Sequence, residues 1–247
     1  MTDNQTSRAY ARIRPQSPHL DCYGSAGSIT FYHRDGKCRW WSKSTLSFTA
    51  TPGQCAALDV HRRALAAWRT IPDTEKEKWH DIARNVPPHR PPFGSVGHIS
   101  GHNLFVSAYH GFHTLGNEHT PEPVDFRPFP VFAAEFVSAA VTAGTDLKIL
   151  LRLSMSPESS PERYALLCKV QLTESGKGCN PGKMRNFLAA EDTTQSSNLL
   201  TLTIPDYATF SGISSTACTL HLRYLLIDRH TGYRSRHQSL SAEVSLT

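Results

Sequence analysis

The sequence predicts an α+β protein: an N-terminal β-hairpin plus a small three-helix module, followed by a C-terminal antiparallel β-sandwich of the fibronectin III or immunoglobulin-like kind. Three observations predict it. Apolar residues recur at helical spacing from about residue 51 to 115, the period switches to two beyond residue 131, and four prolines in GNEHTPEPVDFRPFPVF separate the two regimes. These boundaries give a flexible arm over 1–20, a hairpin plus helical module over 21–120, a proline-rich linker over 121–130 and a sandwich over 131–247.

The arm is polar and carries Arg8, Arg12 and Arg14 with Pro15 and Pro18, which suits an extended segment ordered by a partner. Alternation at Ile29 to Tyr32 then leads into Arg34-Asp35-Gly36-Lys37, and Asp-Gly favours a tight hairpin turn before Cys38-Arg39-Trp40-Trp41. The first helix starts at a capping box, with Thr51 as cap, Pro52 at the first helical position and Gln54 three after the cap. Leu58, His61, Leu65 and Trp68 are its expected inner face. PDTEKEKWHDIARN is a second helix, acidic at its start and burying Trp79, Ile82 and Ala83. In the third, SGHNLFVSAYHGFHTLG, Phe105, Ala108, Tyr109, Phe112 and Leu115 form an aromatic stripe. Six strands follow: AAEFVSAAVTA, DLKILLRLSMS, RYALLCKVQLT, NLLTLTIPD, ACTLHLRYLLID and QSLSAEVSLT.

The net charge of +5 lies entirely within residues 1–120, which also hold 10 of the 13 histidines, so an anionic partner would meet that half. Six cysteines are spread without a CxxC pair, which disfavours a structural zinc site. The N-terminal residues have no apolar core for secretion, so the expected location is cytoplasmic at synthesis, with a virion as a later one.

No G-x-S-x-G elbow or phosphate-binding glycine loop is present, and the sequence assigns no catalytic residue, no cofactor and no metal. The histidines of the third helix are the strongest counter-candidate. His102 and His113 lie about 16 Å apart along a helix, too far to share an ion, and only His110 with His113 could chelate. The bland alternative has them flanking the core. Six aromatics, Tyr164, Phe187, Tyr207, Phe210, Tyr224 and Tyr233, would have to be exposed for a carbohydrate-binding sandwich.

The order GSITFYHRDGKCRWWSKS, TPGQCAALDVHRRALAAWRTIPDTEKEKWHDIA and SGHNLFVSAYHGFHTLG resembles a diffuse group of uncharacterised proteins of phages, prophages and Bacteroidetes-type bacteria. The match runs over residues 24–123 at Gly27-Ser28, Thr51-Pro52, Gln54, Trp68, Trp79, Ser100-Gly101, Asn103 and Phe105, and departs where Pro72 replaces a hydroxyl cap. The resemblance implies a C-terminal β-sandwich and a role as a virion or assembly component. DTEKEKWHDIA is also similar to part of the HMG box, although the helix order is reversed and the minor-groove lysines and prolines are missing.

The expected function is therefore a non-enzymatic structural or assembly protein, phage-like, acting by self-association or docking to a larger assembly. The alternative is a nucleic-acid-binding protein that uses the basic N-terminal half. The residues expected to make contacts are Arg8, Arg12, Arg14, Arg39, Trp40, Trp41 and Lys43. Adjacent strand residues face opposite ways, so one tryptophan could enter a core while the other stays out, and burial of both is the plainer outcome.

Overall fold

A computed structural model describes residues 12–16, 19–26, 29–34, 37–42, 51–88, 97–142, 145–156, 161–191, 198–213 and 216–245. The chain divides into two compact units, one of residues 1–57 and 87–98, the other of residues 58–86 and 99–247. The helices from Leu58 onward thus fold with the sandwich, across the boundaries drawn from the sequence.

The first unit is a four-stranded antiparallel sheet in the order β1-β2-β3-β4, built from β1 (Arg12–Gln16), β2 (His19–Ala26), β3 (Ile29–Arg34) and β4 (Lys37–Ser42). The hairpin predicted over β3 and β4 is present, with Arg34 opposite Lys37. Its Asp35-Gly36 turn lies outside the described residues. Two strands were missed because RIRPQ, interrupted by proline, shows no apolar alternation; it nevertheless pairs with β2, Arg12 opposite Tyr23 and Arg14 opposite Asp21. Helix α1 (Pro52–Thr70) opens on the expected capping box: Thr51 N donates to Gln54 Oε1 at 2.9 Å and Gln54 N to Thr51 Oγ1 at 3.3 Å.

In the second unit α1 is followed by α2 (Asp73–Asn85) and α3 (Gly101–Thr114). Pro72 has no side-chain acceptor, so α2 starts without a side-chain cap. On α3 the Ser100 side chain accepts from Asn103 N at 3.2 Å. Trp79 and Phe105 are fully buried and meet edge to face, their centroids 5.5 Å apart. The inner face of α1 differs from the expected one. Val60 and Ala64 are buried and Ala67, Trp68 and Ile71 continue that side, whereas Leu58 is 48% exposed and His61 is exposed. The large side chains of α1 suggested one stripe; the small ones let the helix approach its neighbours.

The sandwich consists of two four-stranded antiparallel sheets, β5-β6-β10-β9 and β12-β11-β7-β8. All six expected strands are present: β5 (Phe132–Thr142), β6 (Asp146–Met155), β7 (Tyr164–Glu174), β10 (Leu199–Ile204), β11 (Ala217–Asp228) and β12 (Gln238–Ser245). Two short ones, β8 (Arg185–Leu188) and β9 (Ala190–Glu191), carry the chain from one sheet to the other. Before β11 stands a five-residue helix, α4 (Tyr207–Ser211). Counted within the sandwich, the first, second, sixth and fifth strands share one sheet and the eighth, seventh, third and fourth form the other, which is immunoglobulin-like topology. Leu147, Ile149, Leu151, Leu166, Leu202, Ile204, Leu220, Leu222 and Leu226 fill the space between the sheets, each contributing roughly 1.5–3 kcal/mol.

Strand β11 is buried on both faces. Its outward Leu225 and Ile227 join Leu167 of β7 in a second cluster covered by Leu115 at the end of α3. The loop after β11 then presses on the same helix. A Cβ on Gly111 would overlap the Gly232 carbonyl, and one on Gly232, whose φ is +70°, would overlap the Ala108 carbonyl. Tyr233 reaches into the helical core, T-shaped against Trp79, and its hydroxyl donates to Val124 O at 2.7 Å. Phe126 and Phe129 of the proline-rich segment pack against Tyr233 and Tyr164. The segment is therefore pinned to both the helices and the sandwich.

Candidate interaction surfaces

Arg39, Trp40 and Trp41 lie on β4, an edge strand of the first unit. Trp40 stands opposite Phe31 on one face, while Trp41 opposes Thr30 and Arg39 opposes Tyr32 on the other. Neither indole is buried: Trp40 is 66% and Trp41 51% exposed, and Tyr32 is exposed as well. The strand thus offers an aromatic and a guanidinium side by side on one face and a second tryptophan on the reverse. Arg12 and Arg14 belong to β1, the strand at the opposite edge of the same sheet. Arg8 and Lys43 lie outside the described residues.

The histidines flank the helical core, and two of them also pair across helices. His110 of α3 pairs across to α1, where His61 Nδ1 is 3.4 Å from His110 Nε2 and the rings stack at 5.7 Å. One helical turn on, Arg63 Nη2 donates to His113 Nε2 at 3.1 Å. His102 packs edge-on to Trp68 instead. Among the described residues no group of three metal-ligating side chains is assembled. What gathers here is positive charge. Burial, then Arg234, His61 and His113 beside it, push the His110 pKa below the ordinary histidine value. Arg234 follows the Gly232 contact with α3; its Nε is buried without a hydrogen-bond partner, and burial lowers its pKa. His237 is lowered too, by burial and by Lys169, Arg223 and Arg234. Lys169 and Arg223 are direct cross-strand partners on β7 and β11. His61, Arg63, Arg234 and Arg223 were missed because their association spans up to some 170 residues of chain; the clustering of histidines was the only sequence signal for it.

The six aromatics that a carbohydrate-binding sandwich would need exposed are packing residues. Tyr224 and Tyr233 are buried, Phe187 meets Phe210 edge-on at 5.4 Å, and Tyr164 and Tyr207 pack against the sandwich core. The buried His221 donates from Nε2 to Lys177 O at 2.9 Å and accepts at Nδ1 from Ser241 at 3.0 Å, which ties the turn after β7 to β12. A cavity of about 570 Å³ opens at the β7–β9 side of the sandwich, lined by apolar residues together with Glu162, Tyr164, Glu191, Asn198 and Arg229. No helix among the described residues is long and apolar enough to cross a membrane.

No family model matches the sequence and no curated protein matches it. Among solved structures the chain is similar to AggA, the major subunit of aggregative adherence fimbriae type I from Escherichia coli. The identity is 8% and the TM-score 0.26, over 49% of this chain and 98% of that one. No shared fold follows from a score of that size.

Proposed function

We propose that this chain is a non-enzymatic structural protein, a component of a virion or comparable particle, that works through protein–protein contacts made by the β3–β4 edge. The observation that supports this reading is the exposure of both tryptophans on opposite faces of one edge strand. A large aromatic left in water has apolar area to lose, and tryptophan and arginine are the residues that dominate protein interfaces when a partner covers them. The strand edge adds unpaired backbone groups to the same surface, so a neighbour can add hydrogen bonds as well as apolar contact. The resemblance of residues 24–123 to phage and prophage proteins supports the particle.

Absolute mass by light scattering on a sizing column, at low and moderate salt, tests the reading. A discrete oligomer that persists in moderate salt and that Trp41→Ala weakens by about 30-fold, the loss of one interface hot spot of about 2 kcal/mol, is the expected result. A monomer under both conditions, or an oligomer indifferent to Trp40→Ala and Trp41→Ala, would remove self-assembly through β4.

A further inference from the structure

Two helices and one loop of the second unit bring five basic side chains together on two successive turns of α3. His61 and Arg63 come from α1, His110 and His113 from α3, and Arg234 from the segment that follows β11. The Gly232 contact fixes the last of these: with its carbonyl against Gly111 and its α-carbon against Ala108, the chain enters Arg234 alongside the turn of α3 that bears His110.

Buried guanidinium groups in folded proteins are normally neutralised, because an unpaired charge removed from water is strongly destabilising. Here the neutraliser is missing. Arg234 has a buried Nε that donates to nothing, and among the described residues no carboxylate forms an ion pair with it, whereas Arg63 is exposed to solvent. The contrast with Arg163 is informative: on the same side of the sandwich it is held by Asp228 at 2.6 Å. The groups that act on His110 are His61 from α1, His113 from α3 and Arg234 from the loop, all basic. An anion supplied from outside would neutralise the buried Arg234 and stabilise the basic groups beside it. Five N–H donors in a planar fork and imidazoles able to donate are the groups that recognise tetrahedral oxyanions. A metal ion would face two arginines.

We propose that Arg234, His110, His61, His113 and Arg63 form a binding site for a tetrahedral oxyanion, a phosphate or sulfate group. Arg234 is the fixed donor. His110 adds charge as it takes up a proton, so an anion in the site favours its protonated form and binds more tightly in mild acid.

The test titrates inorganic sulfate, a dianion throughout the working range, into the full chain at pH 5.5 and 7.5 against sodium chloride of equal ionic strength. The readouts are the thermal midpoint and the imidazole nitrogen resonances in NMR. The expected result is a saturable rise at millimolar sulfate, with binding about 10-fold tighter at the lower pH, within the roughly 100-fold that one linked proton can supply over two pH units. Inorganic phosphate should compete. Arg234→Met should weaken binding at least 10-fold. If that variant does not fold, His110→Gln should fold, since its side chain is only partly buried, and should flatten the pH dependence. Sulfate acting no differently from chloride would overturn the proposal. So would binding that both variants leave unchanged, or stabilisation by zinc ion with none by sulfate.

Discussion

The α-carbon of Gly111 and the carbonyl of Gly232 meet with no room for a single methyl group between them, so helix and loop touch backbone to backbone. The contact joins two levels of the fold. It brings Tyr233 under Trp79 and places Arg234 at His110, and both depend on residues that carry no side chain.

Gly111→Ala should therefore destabilise the protein by about 2–3 kcal/mol, at the upper end of overpacking substitutions, because the obstruction is backbone and cannot rotate away. Gly232→Ala adds the strain of a positive φ to a similar overlap and should cost at least as much. Urea denaturation measures both. Gly116→Ala is the control for strain alone, since its φ of +74° lies in open space.

Arg163 donates through Nε and Nη2 to Asp228 Oδ2, at 2.9 and 2.6 Å, and Asp228 Oδ1 accepts from His230 N. Asp228 is nearly buried and Arg163 a quarter exposed. Asp228→Ala should cost about 3 kcal/mol, since it strands a guanidinium and an amide, and Arg163→Ala about 2 kcal/mol. The order of the two losses, read from chemical denaturation, is the discriminating result.

Stability should fall on mild acidification. His110 and His237 have folded pKa values below the unfolded value, so below about pH 6.5 the unfolded chain holds more protons than the folded one. The contribution is fully present above the unfolded pKa and is lost as the pH drops through it toward the folded values. Unfolding free energies measured between pH 7.5 and 5 in chloride should decline, and His110→Gln should reduce the slope.

Burial pushes the Cys168 thiol up to about 12, and Cys218 is raised by burial and by Glu243, whereas Cys55 and Cys179 are exposed. A thiol-specific reagent at pH 8 should modify Cys55 and Cys179 within the native protein and reach Cys168 only on unfolding. Peptide mapping of the labelled sites tests it. Rapid modification of Cys168 would contradict the packing between β7 and β11.

What the sequence made legible was whatever repeats locally. Three helices and six strands announce themselves through caps and periodicity, because the residues that bury them are three, four or two positions apart. Strands β8 and β9 and helix α4, of four, two and five residues, are too short for a period to show. Non-local placement was hidden for a different reason. Nothing in GYRSRH announces that its tyrosine completes a core begun at Trp79, or that its first arginine meets a histidine on a helix some 120 residues earlier. Trp40 and Trp41 were legible as a question, and the edge position of β4 answers it by leaving both rings in water.

The insertion of Tyr233 beneath Trp79 also bears on how the chain is made. At translation speeds of about 5–20 residues per second, α3 is complete roughly 6–24 s before Tyr233 is joined. Through that interval the ribosome holds a nascent helical segment in which Trp79 and Phe105 lack their lid, the state in which an exposed aromatic core most readily recruits a chaperone or a neighbouring polysomal chain. Stalling synthesis between residues 120 and 230 should accordingly yield a species that binds hydrophobic dyes and aggregates, while release after the final hairpin should not.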